Sequence, residues 1–117
     1  MSNSFGPFLR SVREKLGKTM REVADLLGVS VVYISDIERG RRNPPSMDMI
    51  KKIAAFFQMP PDAFLKKAAD DKGKIELGLE GAAPKVSEAA LVLARKWPNL
   101  TEEKANELIK LLEKEDI

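Results

Sequence analysis

Residues 19–40 read TMREVADLLGVSVVYISDIERG, and this stretch decides the fold. Gly28 divides it into two short segments, each with apolar residues at helical spacing. Ala24 is small enough for two helices to approach closely, and Gly28 supplies the tight turn between them. Ile34 and Ile37 are placed to seat the second helix in a core. The stretch therefore predicts two helices that cross steeply over a turn of three residues, 28–30.

The sequence on both sides of this stretch predicts three more helices, which makes five within residues 1–69. Apolar residues from Phe5 to Leu16 recur at helical spacing, and Gly17 is placed to end that helix. The segment 41–45 cannot continue a helix and is interpreted as a basic loop. The residues expected in the core are Phe5, Phe8, Leu9, Val12, Leu16, Met20, Val23, Ala24, Leu27, Ile34, Ile37, Ile50, Ile53, Ala54, Phe57, Ala63, Phe64, Leu65 and Ala68.

Hydroxyl residues mark the expected starts of the helices. Thr19, Ser30 and Ser46 precede the second, third and fourth helical segments, and Ser87 and Thr101 precede two more near the end of the chain. A hydroxyl at this place accepts a hydrogen bond from an amide of the first helical turn. These five residues are therefore predicted as N-caps.

The rest of the chain predicts a linker at 70–85 and a helical hairpin at 86–117. Residues 74–79 alternate polar and apolar side chains, which indicates either a strand paired with its copy in a second chain or an extended linker. Two short amphipathic helices are too small to keep a core alone, so their apolar faces need a partner, either the N-terminal unit or a second copy of the hairpin. We expect the second copy, in a homodimer. The residues assigned to this interface are Ile75, Leu77, Leu79, Leu93, Trp97, Leu108, Ile109 and Leu112.

Composition argues against several classes of protein. The 117 residues include no Cys and no His, which removes disulfides, thiolate ligands and the usual general base. No glycine-rich phosphate loop is present, and the acidic runs are interpreted as solvated, so we expect no enzyme activity, cofactor or metal. No apolar run approaches the roughly 20 residues that cross a bilayer, and residues 1–7 do not resemble a signal peptide. A cytoplasmic protein without membrane association is expected.

Charge is distributed unevenly along the chain. Residues 1–69 carry twelve Lys and Arg against seven Asp and Glu, whereas residues 70–117 carry eight against eleven. The positive net charge of residues 1–69 indicates a partner with many negative charges, although ordinary surface variation explains these numbers equally well.

Three segments together carry a resemblance: TMREVADLLGVS at 19–30, YISDIERG at 33–40 and RRNPPS at 41–46. They resemble the lambda-repressor-like (Cro-type) helix-turn-helix family, with matching helices and loops over about residues 5–69. The resemblance implies a five-helix DNA-binding domain over residues 1–69. Together with the short extended linker and the C-terminal helical hairpin predicted above, it gives an expected all-α fold. It also implies a transcriptional regulator, a repressor, that binds a palindromic operator in double-stranded DNA as a homodimer.

The resemblance assigns roles to individual residues and places the helix 31–38 in the major groove. Carried over to base edges are Ser30, Val31, Val32, Ser35 and Asp36, with Tyr33 and Arg39 near the rim. Carried over to the DNA backbone are the amides of Thr19 and Met20 and the side chains of Arg41, Arg42 and Asn43. Arg13 and Glu38 resemble an internal ion pair of the family.

Two departures from the family pattern keep an alternative open. Met20 stands where the family often has a phosphate-binding Gln, and Val31 and Val32 stand where Gln, Asn or Arg commonly read bases. Valines offer methyl contacts and no hydrogen bonds. The alternative is an antitoxin-like or protein-interaction module, whose C-terminal tail binds a protein partner and whose DNA binding serves autoregulation.

Overall fold

The computed structural model of the protein describes residues 4–114, in which all regular secondary structure is helical. The chain divides between Ile75 and Glu76 into two compact units. The first unit consists of α1 (Phe5–Lys15), α2 (Met20–Leu27), α3 (Val31–Glu38), α4 (Met47–Phe56) and α5 (Asp62–Lys72). The second consists of α6 (Pro84–Lys96), a 3₁₀ turn (Trp97–Asn99) and α7 (Glu102–Glu113). The predicted all-α fold class is confirmed.

Four of the five predicted N-caps are confirmed by hydrogen bonds. The hydroxyls of Thr19, Ser30, Ser46 and Thr101 each accept from the amide three residues later, at 3.0 to 3.3 Å. The predicted cap at Ser87 is wrong, because α6 begins at Pro84 and Ser87 lies inside it. A proline fits the first turn of a helix, since its fixed φ is helical and the missing N–H has no partner there anyway.

The core of the first unit lies where α3 packs against both α1 and α2, and where α5 packs against α1 and α4. Phe64 is fully buried, with its ring centroid 4.8 Å from that of Phe8 and 6.3 Å from that of Phe5. The buried apolar residues are Phe5, Leu9, Val23, Ala24, Ile34, Ile37, Ile50, Ile53, Ala54, Phe57, Phe64 and Ala68.

Two residues predicted in this core are exposed. Leu16 follows the last residue of α1 and is 44% exposed, because the helix ends before its stripe reaches that position. Ala63 is exposed as well, since the buried face of α5 runs through Phe64 and Ala68, and Ala63 lies beside it. Helical spacing thus predicts both helices, but it does not show where the apolar stripe of α1 ends or which side of α5 is buried.

The end of α5 is tied to the start of α1. The carboxylate of Asp71 accepts hydrogen bonds from the amides of Ser4 (2.8 Å) and Phe5 (2.9 Å). Asp71 thus caps α1 from a distant part of the chain, whereas Ser4 makes no side-chain cap of its own. The helix that contains Asp71 continues to Lys72, past residue 69, and ends where Gly73 adopts a φ of +72°.

Residues 75–79 are neither helix nor strand in the single chain, and all are exposed. Pairing with a second chain therefore stays a prediction. In the described part of the chain, 4–114, no helix has the length and apolar character that crossing a membrane requires.

Candidate nucleic-acid interface

The turn between α2 and α3 is built from three local features. Gly28 has a φ of +69°, a conformation that residues with a Cβ adopt only with strain. The next amide, of Val29, donates back to the carbonyl of Ala24 at 3.0 Å, which closes the end of α2. Ser30 then starts α3 by capping the amide of Tyr33 at 3.1 Å. The angle between the two helices is therefore fixed by the chain segment that joins them.

The C-terminal end of α3 is anchored to α1 by a buried ion pair. Arg13 Nε donates to Glu38 Oε2 at 2.7 Å and Nη2 donates to Oε1 at 3.0 Å, so the pair is bidentate. A third donor, Arg13 Nη1, bonds the carbonyl of Lys18 at 3.0 Å. The hydrogen bond to Glu38 raises the pKa of Arg13 above its ordinary value, against the opposing effect of burial. Arg13 is thus occupied inside the protein.

The outer face of α3 carries Val32, Ser35, Asp36 and Arg39, which recur at helical spacing. Val32 is 67% exposed and Arg39 is exposed, while Ser35 and Asp36 are partly exposed. Val31 differs from its neighbour, because it is partly buried and packs against the core. Of the two adjacent valines, Val32 therefore has the freely accessible side chain.

A basic loop follows α3 directly. Arg39 is the residue after the last turn of α3, and Arg41, Arg42 and Asn43 are all exposed. The amide of Arg41 donates to the carbonyl of Asp36 at 2.8 Å, so the loop folds back along the helix. The guanidinium of Arg42 lies over the ring of Tyr33, with 4.7 Å between its central carbon and the ring centroid. Three cations are thereby grouped next to the outer face of α3.

The start of α2 is closed by a reciprocal capping box. Thr19 Oγ1 accepts from the amide of Glu22, and Glu22 Oε1 accepts from the amide of Thr19, each at 3.0 Å. The hydrogen bond from the Thr19 amide is the largest cause that lowers the pKa of Glu22. Met20 is partly buried against the core. The family resemblance predicts that the Thr19 amide binds a phosphate, but in the structure this amide already donates to the Glu22 carboxylate.

The second unit exposes several large apolar side chains. None of the side chains of α6 or α7 is buried. Leu93 and Leu108 are partly buried and line an open groove between the two helices, together with Val92, Leu100 and Leu111. The other residues assigned to a dimer interface are exposed: Ile75 (66%), Leu77 (56%), Leu79 (43%), Trp97 (63%), Ile109 (51%) and Leu112 (74%).

Sequence reasoning missed three residues that hold helices of the first unit in place. Gly6 lies so close to α3 that a Cβ there would meet the carbonyl oxygen of Glu38 at 2.7 Å and that of Ile37 closer still. Asp71 caps α1 from α5. Neither contact leaves a signal in a single sequence, because each joins distant segments. Glu22 did leave one, since Thr19-x-x-Glu22 is the spacing of a capping box.

Known proteins are similar to this chain over the residues that form this geometry. Residues 9–64 match the family described as Helix-turn-helix. The Transcriptional regulator ClgR of Mycobacterium tuberculosis (strain CDC 1551 / Oshkosh) is 38% identical over 71 residues, which cover 61% of this chain and 62% of that protein. The HTH-type transcriptional repressor RghR of Bacillus subtilis (strain 168) is 40% identical over 81 residues, 69% of this chain and 57% of that protein. The chain thus spans less than two thirds of either relative.

A solved structure shows the same likeness. The clp gene regulator ClgR from Corynebacterium glutamicum aligns with a TM-score of 0.51 and 25% identity, over 83% of this chain and 92% of that one. The family match contains α2, the turn and α3 in full. Residues 9–64 are thus a helix-turn-helix domain of the lambda-repressor-like type that the sequence resemblance predicts.

Proposed function

We propose that this protein is a sequence-specific transcriptional regulator that binds double-stranded DNA as a homodimer, and that it is not an enzyme. The observation that carries the proposal is the outer face of α3, which is accessible and has Arg39, Arg41 and Arg42 beside it. A major groove about 12 Å wide admits an α-helix, and cations next to that helix meet phosphates on the groove walls. A regulator that binds DNA in a bacterial type of cell would act in the cytoplasm, and this location stays a prediction.

Base recognition is assigned to α3 and to its first residues. Val32 offers methyl groups to thymine, Asp36 can accept from cytosine N4, and Ser35 can donate or accept. Ser30 and Val31 stand at the end of α3 that enters the groove first. Arg39, at the other end, lies near the rim with Tyr33. Because few of these groups hydrogen-bond to bases, one copy of α3 discriminates weakly, and specificity requires two copies.

Phosphate binding is assigned to the loop and to the start of α2. Arg41, Arg42 and Asn43 would contact the backbone and fix the register of α3 without reading sequence. The amides of Thr19 and Met20 would face a phosphate at the positive end of α2. Since Glu22 bonds the Thr19 amide in the structure, its carboxylate must move for that amide to bind a phosphate, which weakens the contact.

Dimerisation is assigned to the second unit. Its helices bury no side chain, and the apolar side chains of Trp97, Ile109 and Leu112 are each at least half exposed. Apolar patches of this kind mark interaction surfaces. A two-fold dimer would set two copies of α3 about 34 Å apart, or a multiple of that distance, on a palindrome. Ile75, Leu77 and Leu79 could extend the interface as paired strands. Repression fits a dimer that occludes a promoter.

Selection of bound sites from a random duplex pool tests the proposal. The expected result is an enriched motif with two inverted half-sites at a spacing of one helical turn or a multiple. A promoter that carries the selected site should then be less active in a reporter strain that expresses the protein. If the protein enriches no sequence, and does not retain duplex DNA even at low salt, the regulator assignment is wrong.

A second candidate function is supported by the open groove between α6 and α7. In that case the second unit binds a different protein, and DNA binding serves autoregulation. Light scattering at micromolar concentration separates the two: a homodimer supports the first proposal, whereas a monomer with an exposed apolar groove supports the second. The pair Ile109→Gln and Leu112→Gln should convert the dimer to a monomer, and Lys110→Gln on the same helix is the matched control.

A further inference from the structure

Tyr33 and Arg42 form a contact that the assignments above do not use. The central carbon of the Arg42 guanidinium is 4.7 Å from the centroid of the Tyr33 ring. Tyr33 is held in place, because its ring packs against the core and its amide is capped by Ser30. Arg42 is exposed in the loop after α3. A fixed ring thus lies under a side chain that would otherwise be mobile.

The physical consequence is a restricted guanidinium. A cation within about 6 Å of an aromatic centroid is attracted to the ring face, and Arg stacks on it through its plane. The N–H donors that point away from the ring stay available while the guanidinium lies over Tyr33. Arg41 differs, because the described contact that holds it is made by its backbone amide, to the carbonyl of Asp36.

We propose that Tyr33 is a positioning residue for Arg42: its ring holds the guanidinium beside α3 in the orientation that meets a DNA phosphate. This inference rests on the proposed DNA-binding function and changes the role of Tyr33 within it. Tyr33 acts through Arg42 and makes no essential contact with DNA by its hydroxyl. Ordering Arg42 before binding removes part of the entropic cost of forming the phosphate contact.

The contact itself can be tested on the full-length protein without DNA. Tyr33 is the only tyrosine of the chain, so labelling with 3-fluorotyrosine gives a single ¹⁹F resonance. Arg42→Gln should shift this resonance, and Arg41→Gln, the matched control, should shift it much less. Equal shifts from the two variants, or none from either, would overturn the proposed pairing.

The consequence for binding requires a double-mutant cycle with a fixed duplex. Tyr33→Leu keeps apolar contact with the core but removes the ring, and should weaken binding by about two- to fivefold. Its salt dependence should keep the wild-type slope, since the Arg42 charge remains, whereas Arg42→Gln should reduce the slope by about one. In the Arg42→Gln background, Tyr33→Leu should have no further effect. Tyr33→Phe, which keeps the ring, should rescue the loss seen with leucine.

Other outcomes contradict the proposal in distinguishable ways. If Tyr33→Phe weakens binding as much as Tyr33→Leu, the hydroxyl itself contacts DNA. If Tyr33→Leu weakens binding equally with and without Arg42, the tyrosine acts through the core. Should Tyr33→Leu fail to fold by circular dichroism, Arg42→Lys replaces it: this variant keeps the charge but loses the planar stack, and should lose more affinity than Arg41→Lys. A wild-type protein that binds no duplex contradicts the proposed function, whereas wild-type binding without coupling contradicts the positioning role alone.

Discussion

Removal of the Glu38 carboxylate is expected to destabilise the first unit strongly. Glu38→Ala leaves the guanidinium of Arg13 without the acceptors that lie at 2.7 and 3.0 Å in the structure. The side chains of Arg13 and Glu38 are 10% and 1% exposed, so water cannot replace the missing carboxylate easily. Removing one partner of a buried pair costs about 3–5 kcal/mol, which is a large part of the stability of a small domain.

The measurement is urea denaturation at neutral pH. With an m-value of ~1.5 kcal/mol/M, a loss of ~3 kcal/mol lowers the midpoint by about 2 M. Circular dichroism is a suitable probe, because the ion pair joins two helices of the first unit, α1 and α3. The Arg13 pKa is raised, so the stability that its charge contributes is fully present below the pKa of the unfolded state and is lost as pH rises from there through the folded-state pKa.

Two comparisons make the interpretation specific. Arg10 and Glu14 form an exposed pair at 3.3 Å with side chains 59% and 55% exposed, so Glu14→Ala should cost about 1 kcal/mol at most. The double variant Arg13→Met with Glu38→Leu removes both charges and should be more stable than Glu38→Ala. If Glu38→Ala unfolds at the wild-type midpoint, or if the double variant is the less stable of the two, the ion pair does not have the structural role assigned to it.

Three further predictions follow from other contacts. Gly6→Ala should lower the free energy of unfolding by about 1–3 kcal/mol in the same denaturation assay, because its Cβ would meet the carbonyl oxygen of Glu38 at 2.7 Å. Gly78→Ala is the control and should be neutral, since a Cβ there has no atom within 4 Å. Equal midpoints for the two variants would contradict the close packing. Glu22→Gln keeps an acceptor for the Thr19 amide but removes a charge from the start of α2, so duplex DNA at low salt should bind more tightly, and weaker binding would show that the carboxylate does not oppose a phosphate. The lowered pKa of Glu22 also means that its stabilising effect is present above the unfolded-state pKa and is lost as pH falls through the folded one; the acid limb of a stability-against-pH profile should therefore flatten in Glu22→Gln, and an unchanged limb would argue against it.

The local part of the fold could be predicted from the sequence because local interactions produce it. Thr19, Ser30, Ser46 and Thr101 cap helices by hydrogen bonds that span three residues, so their pattern is visible along the chain. The turn at Gly28 depends on one residue that tolerates positive φ. Ser87 failed as a cap because Pro84 provides an earlier start for the same helix.

The candidate interface could be predicted in part. The outer face of α3 follows from helical spacing, but the unequal exposure of Val31 and Val32 depends on how α3 packs against its neighbours. The contact between Arg42 and Tyr33 depends on the path of the loop. These arrangements are set by packing between helices, which spacing along one helix does not describe.

The sequence by itself determined where α2, α3 and α4 begin, which faces are apolar and which residue types are absent. Tertiary structure alone decided that Asp71 caps α1, although it lies 67 residues from Ser4 in the sequence. It also decided that the backbone of α3 packs directly against Gly6, where a Cβ would not fit. It also brought the donors of Arg13 onto Glu38. The physical reason is range: helix periods and caps act within one or two turns, whereas these contacts exist only once several helices share a core.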